Sequence, residues 1–299
     1  MNHQTIVHRR DFIKKTSMVV GWLGAGVSLA GGAVSDPKKW EIGCFNRPWT
    51  KWTYEEALNG IQQAGYRTTG LLTATAAEPF TASRATPEYL ENLRAAIKKH
   101  ALKPIMTALR TRHDIAVADS VEDMKKQMDH ANLIGVDFAL TFGVDKPAQY
   151  EHYYQVMSEA AKYAASKNMK LVLKPHGGGS GASEEILRCI SKVNHPNFKI
   201  WYDAGNIIYY TGKDPVQELE PIVEHVTGFC AKDCAEPKGD VMIQFGTGKV
   251  DFKGVFARLK KGGFNGPIMV ECAAGKTLEE VTNNARANRE FLEKTLAEV

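Results

Sequence analysis

Lys170-Leu171-Val172-Leu173-Lys174-Pro175-His176-Gly177-Gly178 and, further along, Lys199-Ile200-Trp201-Tyr202-Asp203-Ala204-Gly205-Asn206 share one plan. Each is a short apolar run that ends in charged or polar residues and then in glycine. A strand buried on both faces reads as a nearly continuous apolar run, and its side chains alternate between the two faces. If Val172 faces inward, Lys174 and His176 do too. Charged residues are almost never buried without partners, so charges at the tips of buried strands point to a site rather than to packing.

The same alternation of short β-rich runs with longer helical stretches extends in both directions. The pattern predicts strands over Trp40–Phe45, Tyr66–Leu72, Lys103–Ala108, Asp137–Phe142, Lys170–Lys174, Lys199–Asp203, Val226–Lys232 and Pro267–Glu271. Helices are expected to start near Thr53, Pro87, Val121, Ala148, Ser183, Pro215, Phe252 and Leu278, several of them at proline or a small polar residue, as helix entries prefer. Gly65, Gly135 and Gly263 fit helix C-caps that feed the next strand. Eight strand–helix units predict a single-domain α/β fold, the closed (β/α)8 or TIM barrel. An open doubly wound sheet would want a Gly-rich phosphate loop after its first strand, and Cys44-Phe45-Asn46-Arg47-Pro48 offers none.

Residues 1–33 read differently. His8-Arg9-Arg10-Asp11-Phe12-Ile13-Lys14-Lys15 precedes an apolar, Gly-rich run that ends in small residues near Ala33. A charged start, a short apolar middle and small residues at the end are the pattern of a secretory signal. The paired arginines resemble a twin-arginine export signal, which predicts a periplasmic protein whose mature part, 34–299, is the barrel. Glycines interrupt the apolar run, so stable membrane insertion is not expected. The signal carries +3 of the formal +4 charge, leaving the barrel near neutral. A near-neutral barrel lacks the basic stripe of a nucleic-acid binder. Five cysteines, 44, 189, 230, 234 and 272, include no CxxC pair. Free buried thiols are expected, with Cys230 and Cys234 the nearest potential bridge.

In such a barrel the reactive groups sit at the C-terminal ends of the strands. Alternation places Lys174 and His176 on strand five, Asp203 on strand six, Cys230 and Lys232 on strand seven and Glu271 on strand eight around one hollow. The aromatics Trp49, Trp52 and Phe142, also at strand ends, are candidates to stack on a ligand's face or to pack in the core or rim. Arg110, Arg112 and His113 after strand three are candidates for an anionic contact or for a solvated loop.

The ordered motifs Lys174-Pro175-His176-Gly177-Gly178, Asp203-Ala204-Gly205-Asn206, Cys230-Ala231-Lys232-Asp233, Gly246-Thr247-Gly248-Lys249-Val250-Asp251-Phe252 and Gly263-Phe264-Asn265-Gly266-Pro267 before Glu271 resemble those of the xylose isomerase-like sugar isomerases and epimerases. The resemblance covers essentially the whole of 34–299. It implies a site for one divalent metal held by Glu, Asp, His and Glu at the ends of strands five to eight. Here Asp203 and Glu271 match, whereas Lys174 and Cys230 stand in the other two places. With a neutral thiol the four positions sum to a formal −1 without any ion. A metal beside the Lys174 ammonium would meet a repulsion of several kcal/mol, about 4 kcal/mol for unit charges 4 Å apart at an effective dielectric of about 20. The expectation is therefore that no metal is required and that Lys174 takes its place. The alternative is one divalent metal (Mn, Mg or Zn) on Asp203, Glu271 and His176.

The resemblance implies proton transfer next to the carbonyl of a sugar or keto-sugar, through an enediol or enolate. That chemistry needs a base and a cation near the developing oxyanion. The assignments are Glu271 as base, Asp203 as its acid/base partner and Lys174 or Lys232 as electrophile, with His176, Asn206, Trp49 and Cys230 contacting the carbohydrate. Two alternatives stand beside it, a lyase on keto-glycosides through the same enolate and a sugar-binding barrel without turnover. A phosphoesterase would need a His-rich multi-metal cluster that these strand ends do not offer.

Overall fold

A computed structural model of the chain describes residues 40–73 and 78–299. The expected export signal, residues 1–33, lies outside them. Eight strands, β1 (Ile42–Phe45), β2 (Thr68–Leu71), β3 (Lys103–Ala108), β4 (Phe138–Thr141), β5 (Lys170–Leu173), β6 (Phe198–Asp203), β7 (Val226–Ala231) and β8 (Ile268–Val270), close into one parallel barrel in chain order. The ring is sealed where Ile42, Gly43 and Cys44 pair with Ile268, Met269 and Val270. The expected strands all form, most of them shorter by a residue or two at one or both ends, where the limits of regular elements ordinarily vary.

Nine helices flank the described barrel: α1 (Tyr54–Gln63), α2 (Pro87–Lys99), α3 (Val117–Ile134), α4 (Tyr150–Ser166), α5 (Ser183–Val193), α6 (Ala204–Thr211), α7 (Pro215–Leu219), α8 (Phe252–Lys261) and α9 (Leu278–Ala297). Their entries follow local chemistry. Thr53 and Thr277 close capping boxes with Glu56 and Glu280, and Asp214 caps α7 ahead of Pro215. A side-chain cap of this kind is worth about 1 kcal/mol. Two starts differ from expectation. The helix expected near Val121 begins at Val117, behind Ala116, which has no capping side chain to announce it. The helix expected near Ala148 begins at Tyr150 after a 3₁₀ turn over Pro147–Gln149. One helix was not expected at all: α6 starts directly on Asp203, which caps it. Among the described residues no helix is long and apolar enough to cross a membrane.

The apolar residues form two cores. The larger lies between strands and helices, and the smaller fills the barrel with Phe45, Met106, Phe138, Val172, Trp201 and Met269. This inner layer is the floor beneath the strand tips. It depends on pairing a large side chain with an absent one. Gly228 on β7 faces the Trp201 indole, and a Cβ there would fall inside the ring. Interiors are packed too tightly to absorb that overlap without shifts. Gly228→Ala is therefore expected to lower stability by about 1–3 kcal/mol. A lower urea midpoint with an unchanged m-value would register it; an unaltered midpoint would mean that Trp201 is free to move.

Candidate active site

Parity along the strands decides which side chains reach the hollow above this floor. Val172, Trp201, Cys230 and Met269 belong to the inner core, and two residues beyond three of them stand Lys174, Asp203 and Glu271. Lys232 stands two beyond Cys230. All four charged side chains are buried. The Lys174 ammonium bridges the two acids, bonded to Glu271 Oε2 and 3.1 Å from Asp203 Oδ2. Lys232 Nζ lies 3.0 Å from the same Asp203 oxygen and 3.4 Å from Glu271 Oε1. Arg47, which follows β1, reaches in from the rim and pairs with Glu271 Oε1.

The two carboxylates differ in what they have left to offer. Glu271 receives Arg47 and Lys232 on Oε1, and Lys174 and the Cys230 thiol on Oε2. Asp203 Oδ1 accepts the Asn206 N–H at 2.8 Å and caps α6. Its Oδ2 is buried, faces two ammonium groups at ion-pair distance, and has no directed hydrogen bond. A buried acceptor in that condition is costly, and a hydroxyl entering the hollow would satisfy it. Asn206 ties α6 to the strand tips, its Oδ1 accepting from Lys232 Nζ and its Nδ2 donating to the Pro175 carbonyl at 2.6 Å.

Burial alone would push both lysines toward neutrality, but Cys230, Glu271 and Asp203 outweigh it at Lys174, and Asp203 and Glu271 at Lys232, so both pKa values rise. Burial likewise opposes ionisation of Glu271, and Lys174, Lys232 and Arg47 overcome it, holding the carboxyl well below its usual range. Burial keeps the Cys230 thiol protonated, so it adds no charge. The site thus sets three cations against two carboxylates, a formal +1. The −1 expected from four positions gives way because Lys232 and Arg47 join them.

His176 stands at the outer edge of this cluster. Its ring meets Phe142 edge-on, 5.4 Å between centroids, and hydrogen-bonds the Tyr210 hydroxyl on α6 at 2.9 Å. Gly177, at φ +85°, leaves the space that brings Tyr210 against this turn. Burial, then Lys174 and Lys232, lower the His176 pKa, so the imidazole is unprotonated at neutral pH. Lys174 Nζ lies 5.8 Å from the centroid of the same Phe142 ring. Arg110 covers that ring at 5.1 Å, while Arg112 pairs with Asp114 and His113 packs on His152.

Of the residues expected at the site, Lys174, Asp203, Lys232, Glu271, Asn206 and Cys230 converge, with His176 beside them. Trp49 does not join them. It ends a 3₁₀ turn over Arg47–Trp49 that breaks strand parity, and its fully buried indole donates to Thr282 on α9. Arg47 faces the hollow in its stead. The expected ligand trio changes as well: the ligand atoms that gather within 4.8 Å are those of Asp203, Cys230 and Glu271, without His176. Cys230 and Cys234 are free thiols. Arg47 and Tyr210 were missed by sequence reasoning. An Arg-Pro pair after strand one, and the cap residues Asp203 and Gly212 bracketing 204–211, were the available signals.

The profile of the xylose isomerase-like TIM barrel family matches residues 58–295. L-ribulose-5-phosphate 3-epimerase of Salmonella paratyphi C (strain RKS4594) is 27% identical over 176 residues, 54% of this chain and 59% of that protein. The match thus spans less than two thirds of that relative's length. The structure of D-allulose 3-epimerase from Methylomonas sp. superposes with a TM-score of 0.69 at 18% identity, covering 87% of this chain and 99% of that one. A xylose isomerase-like TIM barrel protein from Mycobacterium smegmatis in complex with magnesium gives 0.69 at 16% identity, covering 88% and 99%. At these identities the superpositions establish the fold alone.

The depressed Glu271 pKa sets a pH dependence. Between its folded and unfolded values the unfolded chain binds more protons, so stability is full above about pH 5 and falls as pH drops through the unfolded carboxyl range near about 4.3 toward the folded value. Urea midpoints between pH 6 and 3 should fall for the wild type, and less steeply for Glu271→Gln. Equal slopes would mean that Glu271 is not held by these cations.

Proposed function

We propose that this chain, which belongs to the xylose isomerase-like TIM barrel family, is a carbohydrate isomerase or epimerase whose electrophile is a pair of lysine ammonium groups in place of a metal ion. One observation carries the reading: Lys174 Nζ is seated between Asp203 and Glu271 at the strand tips. Relatives named as sugar epimerases support the reaction class.

The donor set is poorly suited to a divalent ion. Asp203, Cys230 and Glu271 lie close enough to share one, but an ammonium stands between the two carboxylates and a second touches both. A divalent ion would raise the formal charge from +1 to +3 unless both lysines lost protons that their partners hold firmly. These residues do not fit a metal, and the chemistry below runs through the chain's own groups.

Proton removal beside a sugar carbonyl places negative charge on the carbonyl oxygen. Lys174 and Lys232 are positioned to receive it, so the developing oxyanion meets two ammonium groups while the abstracted proton is held on a base and the total charge stays at +1. The charge is thus better matched to the transition state than to the neutral sugar, which is where binding accelerates a reaction. Asp203 Oδ2, with no directed bond of its own, accepts a substrate hydroxyl and carries its proton. Glu271 was the base expected from sequence; with both oxygens engaged by four donors, we assign it instead to holding the ammonium pair in place. Loss of a leaving group from the same enolate would give a lyase, which product analysis separates. We also propose export through the signal at residues 1–33.

The test is solvent-deuterium exchange at carbons next to the carbonyl, across neutral aldoses, ketoses and keto-glycosides, with and without chelator and added metals. Exchange should survive chelation, and Asp203→Asn should lower kcat by about 10²–10³-fold, the scale of losing one preorganised polar group. Stoichiometric metal whose removal stops exchange would sink the ammonium reading. In the reverse direction, Lys174→Glu with Cys230→His recreates the residue types that the family resemblance implies at those positions, and this double variant should bind one divalent ion in calorimetric titration.

A further inference from the structure

Moving a carbon-bound proton needs an unprotonated base that is not already committed to other charges. Neither carboxylate qualifies. Glu271 is engaged on both oxygens by Arg47, Lys174, Lys232 and Cys230, and Asp203 lies beneath two ammonium groups with one oxygen spent on the α6 cap. His176 is different. It makes no ion pair among the described residues, is partly exposed at the mouth, and has the Tyr210 hydroxyl 3.1 Å from Nδ1 and 2.9 Å from Nε2, a single O–H that can donate to only one of them.

Its placement is built and not incidental. His176 leaves β5 on a turn fixed at both sides, its backbone N–H donating to Ser180 Oγ at 3.3 Å and the preceding Pro175 carbonyl receiving Asn206. Tyr210 is held from the other side by Lys238, whose ammonium lies 4.5 Å from the phenol ring centroid. Lys238 adopts a positive φ of 62°, a conformation that costs a non-glycine residue of order 1 kcal/mol or more. Phe142 fixes the third side, its ring centroid 5.4 Å from that of the imidazole and 5.8 Å from the Lys174 ammonium. The charged groups around the imidazole are Lys174, Lys232, Asp203 and Glu271 from the tips of β5 to β8, and the neutral Tyr210 hydroxyl faces it from α6.

We propose that His176, oriented by Tyr210, is the base that carries the carbon-bound proton, and that the reaction is therefore an isomerisation between adjacent carbons of the sugar. This rests on the carbohydrate reading above and deepens it. The C–H bond next to the carbonyl breaks and its proton passes to the unprotonated imidazole nitrogen, the Tyr210 hydroxyl turning to the other one. Its electron pair becomes the enediolate double bond, and the carbonyl oxygen takes the charge beside Lys174. Asp203 takes the hydroxyl proton from one oxygen and returns it to the other. The imidazolium then gives its proton to the neighbouring carbon, and both residues end as they began. Tyr210 is a positioning residue.

The experiment compares wild type, His176→Ala and Tyr210→Phe on whichever neutral aldose or ketose the wild type exchanges in deuterated water. The expected result is a kcat loss of at least about 100-fold in His176→Ala, the lower range for general base catalysis, with KM little changed. Added imidazole should restore turnover to His176→Ala in proportion to its concentration. Tyr210→Phe should lose less, also in kcat. Wild-type product should gain deuterium at the carbon that receives the proton. Undiminished turnover in His176→Ala, or a deficit confined to KM and indifferent to imidazole, overturns the assignment to His176 while leaving the parent reading intact. Deuterium that enters without migration of the carbonyl overturns isomerisation. A wild type that exchanges no sugar proton removes the parent reading and this one together.

Discussion

Two carboxylates shared among three cations hold the working end of this barrel together. Bringing four of these five charges out of water is expensive, and attraction repays the cost only with good geometry and further hydrogen bonds. The barrel supplies both. Its parity brings Lys174, Asp203, Lys232 and Glu271 to neighbouring strand tips, and Asn206 and Cys230 fill the remaining polar positions. The pairing also fixes ionisation, since lysines so buried would otherwise shed their protons. The same arrangement makes the site locally electropositive in a chain whose barrel is close to neutral.

The closed barrel was readable because every strand carries the same apolar run and each helix entry has its own local chemistry. The elements that escaped had no such mark or had a misleading one. Ala116 gives no sign of the helix that it begins. α6 was masked because Asp203-Ala204-Gly205-Asn206 looks like a polar loop until Asp203 is seen as a cap, and Pro215 offered a more obvious helix start.

At the site, alternation along each strand put the right residues on the inner face and then failed where strands stop being strands. Arg47 and Trp49 sit in a 3₁₀ turn, so the two-residue period no longer applies, and it is the arginine that turns inward. Pairwise commitments were also beyond one-dimensional reading. Sequence made Glu271 the base and Asp203 its partner, whereas the distribution of donors makes Glu271 an anchor and leaves Asp203 with an open oxygen. That difference lies in where Lys232 and Arg47 point, which no spacing records.

Asp233, next to Lys232, shows how the segment after β7 is secured by different means. This buried carboxylate accepts backbone N–H groups from Cys234, Gly246, Gly248 and Val250 and makes no ion pair among the described residues. Its hold on residues 234–250 is made of short, fixed dipoles that electrolyte reaches poorly, while partly exposed charges such as Arg47 are open to screening. Added salt would therefore weaken the hold of Arg47 on Glu271 long before it loosened the segment after β7.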